Sequence, residues 1–210
     1  LVRLRAEAYT YIQLVFHQYG ILDIESGIVQ SKTKRRQLIE RFSEDDIRKN
    51  IATDLDIVDA LDPVIAQLES QITRQAKYHR PRDYSILLTV PGVGPMIALN
   101  ILYEMSCLDR FKSVQKFSSY CRVVKCERSS NNKTQKGGNQ KIGNPYLKWA
   151  MTQIIISAQS NEHIAKYINR LESKHGRRRA RAQIAHKFAV AIFHMLKNEQ
   201  VFDLKRFLNS

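Results

Sequence analysis

The sequence predicts a mostly α-helical protein in two parts, a long coiled-coil-like helical segment followed by a helical domain that carries a long basic loop. Two observations point there. Apolar residues recur at Ile47, Ile51, Leu55, Val58, Leu61, Ile65, Leu68 and Ile72, in steps of three and four, which is close to an a/d seam. Beyond residue 80, apolar stripes of helical period recur in five stretches, and no alternating strand ladder or internal repeat interrupts them.

Residues 1–18 read as one helix with Leu4, Ala8, Tyr11, Ile12 and Val15 on a stripe. Gly20 ends it, and 20–31 reads as a loop. The seam then runs through Asp62-Pro63, so a kinked but continuous helix is expected there rather than a new start. A seam alone does not say whose helix fills it. An intramolecular hairpin with the first helices and a dimerising coiled coil both satisfy the pattern. His79-Arg80-Pro81-Arg82 reads as a break, which divides the chain into 1–80 and 81–210. In the second part, helices are expected at 95–105, 113–121, 144–159, 161–174 and 177–198, with a polar loop at 122–143.

Charge narrows the function. The 210 residues hold 34 Lys and Arg against 20 Asp and Glu, a formal +14. The acids Glu44, Asp45, Asp46, Asp54, Asp56, Asp59 and Asp62 face only Arg48 and Lys49 within 44–62, where a solvated helix face is expected. The rest is strongly basic and calls for a polyanionic partner, nucleic acid by default. No stretch approaches the roughly 18 apolar residues of a spanning helix, so no membrane partner is expected. Cys107, Cys121 and Cys126 are spaced for neither a disulfide framework nor a zinc site, and reduced thiols in the cytoplasm are expected. His186 and His194 lack metal-ligand spacing, so no metal site is expected in this chain.

Leu87-Leu88-Thr89-Val90-Pro91-Gly92-Val93-Gly94-Pro95-Met96-Ile97-Ala98-Leu99 fits a helix–hairpin–helix element over 84–105. Two glycines allow a tight turn and close backbone approach. Pro95 suits the first turn of the next helix, whose free N–H groups can hold a phosphate without reading a base. Gly92, Val93, Gly94 and Pro95 are therefore candidate DNA-binding residues; a plain helix-joining turn is the alternative. Hairpins of this kind also serve glycosylases resembling endonuclease III, but Met96 and Val114 stand where their catalytic Lys and Asp would fall. A second basic candidate is Arg177, Arg178 and Arg179 after Gly176. Cations at a helix start oppose its dipole, so an external phosphate backbone explains them better than helix stability does. Ala182, Ala185, Ala189, Ile192, Phe193 and Leu196 are expected to bury the face of that helix, and Tyr146 and Trp149 to anchor a core.

Three segments together carry a resemblance: the Val90–Gly94 hairpin; Arg110-Phe111-Lys112-Ser113 leading to Phe117-Ser118-Ser119-Tyr120; and the loop that closes in Lys141-Ile142-Gly143-Asn144 before Tyr146-Leu147-Lys148. In this order the chain resembles the C-terminal part of a family of bacterial insertion-sequence transposases. That family joins an N-terminal ribonuclease-H-like domain with an Asp-Glu-Asp-Asp set, a coiled coil, and a C-terminal domain with a helix–hairpin–helix and a serine. The resemblance implies a site-specific recombinase guided by a bridging RNA. Its serine falls on Ser130, with Ser129 the competitor, and Asn131 takes the place of a glycine. The hydroxyl would attack a DNA phosphate, with Arg128, Lys133, Lys136 and Lys141 holding the strand. The resemblance further implies DNA and a guide RNA as partners, a homo-oligomer through the helical segment, and a bacterial, nucleoid-associated location. It places a divalent metal, magnesium, on an acidic domain expected before Leu1, so that this chain reads as truncated. The alternative is a non-catalytic nucleic-acid-binding module.

Overall fold

The computed structural model describes residues 1–22, 26–124, 128–130, 133–135 and 142–209. They form a mostly α protein in two compact units, Leu1–Gln71 and Ile72–Ser210.

The first unit begins with α1 (Val2–Gln18), which buries Ile12, Val15 and Phe16. Two short helices follow, α2 (Ser26–Gln30), within the 20–31 stretch that the sequence suggested as loop, and α3 (Lys32–Gln37). The long α4 (Asp45–His79) runs through Pro63 without ending, as its uninterrupted apolar period requires. Ile51 and Leu55 of α4 join Ile12, Val15, Phe16, Val29, Leu38 and Phe42 in one core. Part of the seam is thus filled from within the chain. Leu4 and Tyr11 lie outside that core and are exposed, because the buried face of α1 is set by Phe16, one turn beyond Ile12.

The acidic run is not merely solvated. Arg35 of α3 is fully buried and pairs with Asp59 and, at 3.1 Å, with Asp62. Its guanidinium also donates to the Tyr9 hydroxyl at 3.3 Å. Arg36 reaches Asp56 at 2.7 Å and Asp59, and Arg5 reaches Asp62 at 2.8 Å. Burial works against the charge on Arg35, but the hydrogen bonds to Asp59 and Asp62 outweigh it and hold the cation. Burial likewise pushes Asp59 and Asp62 up, and the arginine partners overcome it, leaving both carboxyls below their ordinary range. Burial alone pushes the Asp54 carboxyl up.

The second unit takes in the end of α4, α5 (Pro81–Leu88), α6 (Pro95–Met105), α7 (Val114–Tyr120), α8 (Pro145–Ser157), α9 (Glu162–His175), α10 (Arg177–Asn198) and α11 (Leu204–Asn209). The break expected near residue 80 is present as the gap between α4 and α5, while the boundary between compact units falls earlier, inside α4. One core runs through this unit, from Tyr84 and Leu87 of α5, through Leu99, Phe117, Leu147 and Met151, to Ile164, Phe188, Ile192 and Phe207. Asn144 and Asn161 cap α8 and α9, each accepting from two backbone N–H groups of the first turn. Within the expected loop lies a short antiparallel hairpin of β1 (Arg128–Ser130) and β2 (Lys133–Gln135). Three-residue strands rich in Ser, Lys and Gln carry no alternating pattern, so sequence period could not reveal them.

The buried ion network makes a prediction for the first unit. Replacing Arg35 by Ala leaves two part-buried carboxylates without their shared cation and should cost about 3–5 kcal/mol. The loss is read from denaturant-dependent amide exchange in α1 and α3. Depressed carboxyl values also fix the pH dependence. The contribution of Asp59 and Asp62 is present above the unfolded value, about 3.9, and disappears as pH falls through their lower folded values.

Candidate nucleic-acid interface

The turn Thr89–Gly94 joins α5 to α6. The N–H of Val90 donates to the Leu87 carbonyl and that of Val93 to the Val90 carbonyl, which folds the chain back sharply. Gly92 sits at φ +86°. A Cβ there would stand 2.6 Å from the Ala158 nitrogen and 2.7 Å from the Ile154 carbonyl oxygen. The glycine thus serves close approach to the end of α8, a partner inside the protein. Gly94 differs: it lies in extended backbone as the N-cap of α6, and a Cβ there would meet open space. No side chain caps α6, so the first-turn N–H groups after exposed Pro95 are the ones open to an anion. Val93 is corrected by the structure. Its side chain is buried and its N–H is already used, so it holds the turn rather than a ligand.

The long loop leaves and returns at one place. It leaves where α7 ends, with Cys121 buried and its thiol pushed up to about 12 by that burial. Arg122, at φ +56°, and Val123 donate their N–H groups back to the carbonyls of Ser119 and Ser118. It returns at Gly143, φ +93°, where a Cβ would stand 2.7 Å from the Tyr120 carbonyl oxygen and 3.1 Å from that of Ser119. The next N–H, that of Asn144, donates to the same Tyr120 carbonyl at 2.7 Å. The Asn144 amide nitrogen donates to Glu104 Oε2 at 2.6 Å and reaches the Tyr120 hydroxyl at 3.4 Å, while its oxygen caps α8. Tyr120 is held in turn by Phe111, with ring centroids 5.3 Å apart, and by the Arg110 guanidinium 4.6 Å from its ring centroid. Gly143-Asn144 and Arg110-Phe111 are therefore two halves of one stem.

A short hairpin belongs to the segment between the two halves of the stem. Arg128 pairs with Gln135, Ser129 with Thr134 and Ser130 with Lys133. Arg128, Lys133 and both serines thus share one backbone ladder, whereas Lys136 and Lys141 lie outside the described residues. Arg177, Arg178 and Arg179 open α10, all exposed, with no acid in its first turn and no ion pair among the described residues. The nearby Arg181 is different, since it reaches Glu172 at 3.2 Å. Glu104 is the stem residue that sequence reading missed; an isolated Glu in an apolar helix gives no signal of its distant partner.

Two expectations fail. Tyr146 and Trp149 are 60% and 49% exposed, because α8 buries Leu147, Ala150, Met151, Ile154 and Ile155 instead. Ala182 is exposed, with Ile184 and Phe188 in the core of α10. Among the described residues no three His, Cys, Asp or Glu gather as a metal ion would need, and no helix is long and apolar enough to cross a membrane.

The turn, the stem and the hairpin all fall within one stretch that other proteins share. Residues 84–169 match the transposase IS116/IS110/IS902 family. A protein of Streptomyces coelicolor named as a mini-circle transposase for IS117 is 29% identical over 131 residues, covering 59% of this chain. The chain spans 30% of the length of that relative. The transposase-family stretch begins at Tyr84 in α5 and ends within α9, so it holds both positive-φ glycines that pack against α8 or the stem.

The two hairpin glycines should respond differently to substitution. Gly92→Ala forces both a left-handed backbone and a clash with α8 backbone, and should cost at least about 1–3 kcal/mol. Gly94→Ala should stay within about 0.5 kcal/mol of the parent. Urea unfolding followed by the fluorescence of Trp149 reads both.

Proposed function

We propose that this chain is the DNA-engaging part of an insertion-sequence transposase, and that it cuts and rejoins strands through Ser130. The observation that carries the reading is the stem. A loop within the transposase-family stretch is tied at both ends to the last turn of α7, leaving through bonds to the Ser118 and Ser119 carbonyls and returning to that of Tyr120, and residues 110–149 around it hold ten Lys and Arg against one Glu. A tied stem with a cationic loop is a means of presenting a side chain to a phosphate without folding that side chain into a core.

The chemistry conserves phosphate bonds. The Ser130 oxygen forms a bond to the scissile phosphorus as the bond from phosphorus to the 3′ oxygen breaks. The serine proton leaves to a base, the 3′ oxygen departs as a hydroxyl, and a 5′-phosphoserine link remains. Attack by a second strand's 3′ hydroxyl reverses the step and joins new partners. Arg128, Lys133, Lys136 and Lys141 neutralise the phosphate oxygens as the transition state forms. The hairpin turn binds the backbone at the open N-terminus of α6, through Gly94 and Pro95, as helix–hairpin–helix elements do. Arg177, Arg178 and Arg179 add a contact along the same backbone.

A bridging RNA and a second copy of the chain complete the proposal. The exposed stripe Ile57, Val64 and Leu68 on α4 supports the second copy, since heptad-like spacing on a solvent face suits another helix.

Two experiments test the reading. With suicide-substrate DNA and the whole transposase, Ser130→Ala should abolish the covalent protein–DNA adduct and Ser129→Ala should keep it. An adduct that survives Ser130→Ala overturns the assignment, and a protein that binds DNA but never forms an adduct is a binding module. Replacing Arg177, Arg178 and Arg179 together by Ala should flatten the log–log salt dependence of duplex binding by about 2.7, close to 0.9 per lost phosphate contact.

A further inference from the structure

One feature of the second unit is not used by the fold. α8 buries one side in the core and turns a stripe of large side chains to solvent: Tyr146, Trp149 and Ile156, spaced three and seven residues apart. Residues three apart on a helix are neighbours on one face. The first two are aromatic, and Lys148 is the only charged side chain on the helix. Tyr103 is exposed as well, and its neighbour Glu104 is bonded to the residue that caps α8.

Exposed Tyr and Trp need a reason, since burying them would stabilise the fold. Neither has a ring partner or a cation over its face among the described residues. The stripe lies on the helix whose first turn is tied to the loop stem and whose last turn receives Gly92. The surroundings decide what can cover it. Ten cations against one acid over residues 110–149 suit a polyanion and repel a basic copy of the same stretch. A duplex offers only stacked bases to an aromatic ring, whereas an unpaired strand offers free base faces and phosphates together.

We infer that Tyr146 and Trp149 form a stacking platform for unpaired bases of single-stranded DNA, next to the loop that carries Ser130. This rests on the reading that the chain handles DNA, and it specifies the form of DNA at this face. Strand exchange must unpair bases on either side of the exchanged phosphate. A platform on α8 holds them apart while the exposed Lys148 holds a neighbouring phosphate. Each ring accepts any base, because every base has a π face, so the platform adds affinity without reading sequence.

Trp149 is the single tryptophan of the chain, so the probe is built in. Oligothymidylate should quench its fluorescence, and duplex DNA of equal length should quench it far less. By anisotropy of labelled oligothymidylate, Trp149→Ala and Tyr146→Ala should each weaken binding by roughly 5- to 150-fold, the range spanned by one lost base stack. Duplex affinity should stay within about twofold, since the lost contact is a base face rather than a phosphate. Trp149→Phe, which keeps a ring, should restore most of the single-strand affinity. Both side chains are exposed, and unchanged circular dichroism confirms that the variants fold.

Equal quenching by duplex, equal loss for both DNA forms in Trp149→Ala, or no loss at all overturns the platform while duplex binding survives. Clearly tighter binding of oligouridylate than oligothymidylate also overturns it, in favour of RNA. Salt-independent or absent binding of every oligonucleotide overturns the DNA reading itself, a different result from any of these.

Discussion

The second unit depends on one carbonyl. The Tyr120 oxygen takes the Asn144 N–H at 2.7 Å and lies so near Gly143 that no side chain fits between them. That contact fixes the return of the loop and seats Asn144, whose side chain caps α8. At the other end of the same helix, Gly92 packs against the Ile154 carbonyl and the Ala158 nitrogen. Two left-handed glycines therefore bracket α8. Thirteen helical residues span about 20 Å at 1.5 Å each. The stem and the hairpin turn are held roughly that far apart, which is about six steps of a DNA strand at 3.4 Å. On the proposed reading, that spacing sets the reacting phosphate in register with the backbone held at the turn.

The same geometry assigns different work to residues that look alike in sequence. Gly92 and Gly94 both read as sites of ligand approach, yet one faces the protein's own backbone and the other faces open space. Val93 lies between them and points into the core. The basic residues divide too. Arg35 is consumed by Asp59 and Asp62, and Arg181 by Glu172, while Arg177, Arg178 and Arg179 remain exposed at a helix end that disfavours them. Net charge alone does not separate structural from available cations. Burial and partners do.

Local pattern carried much of the fold. α6 and α10 begin where Gly94-Pro95 and Gly176 place them, and Asn144 and Asn161 start α8 and α9 as capping chemistry requires. What local pattern could not carry was partnership across distance. The acids of α4 read as solvated because Arg5, Arg35 and Arg36, their partners, come from other helices. Tyr146 and Trp149 read as core because aromatic residues usually are, and only the burial of Leu147, Ala150 and Met151 shows which side of α8 faces inward. Of the candidate site, the hairpin and the closing Gly143-Asn144 were visible as motifs. Glu104, which holds Asn144 from another helix, was not.

Hydrogen–deuterium exchange of the chain, free and with DNA, tests the central claim most directly. In the free protein the Asn144 amide should exchange slowly, as a bonded stem requires. Added DNA should slow exchange in the turn around Gly94 and in 128–135, leaving Asn144 unchanged. An Asn144 amide that exchanges as in an unfolded chain, or DNA protection confined to residues 1–71, would contradict the account.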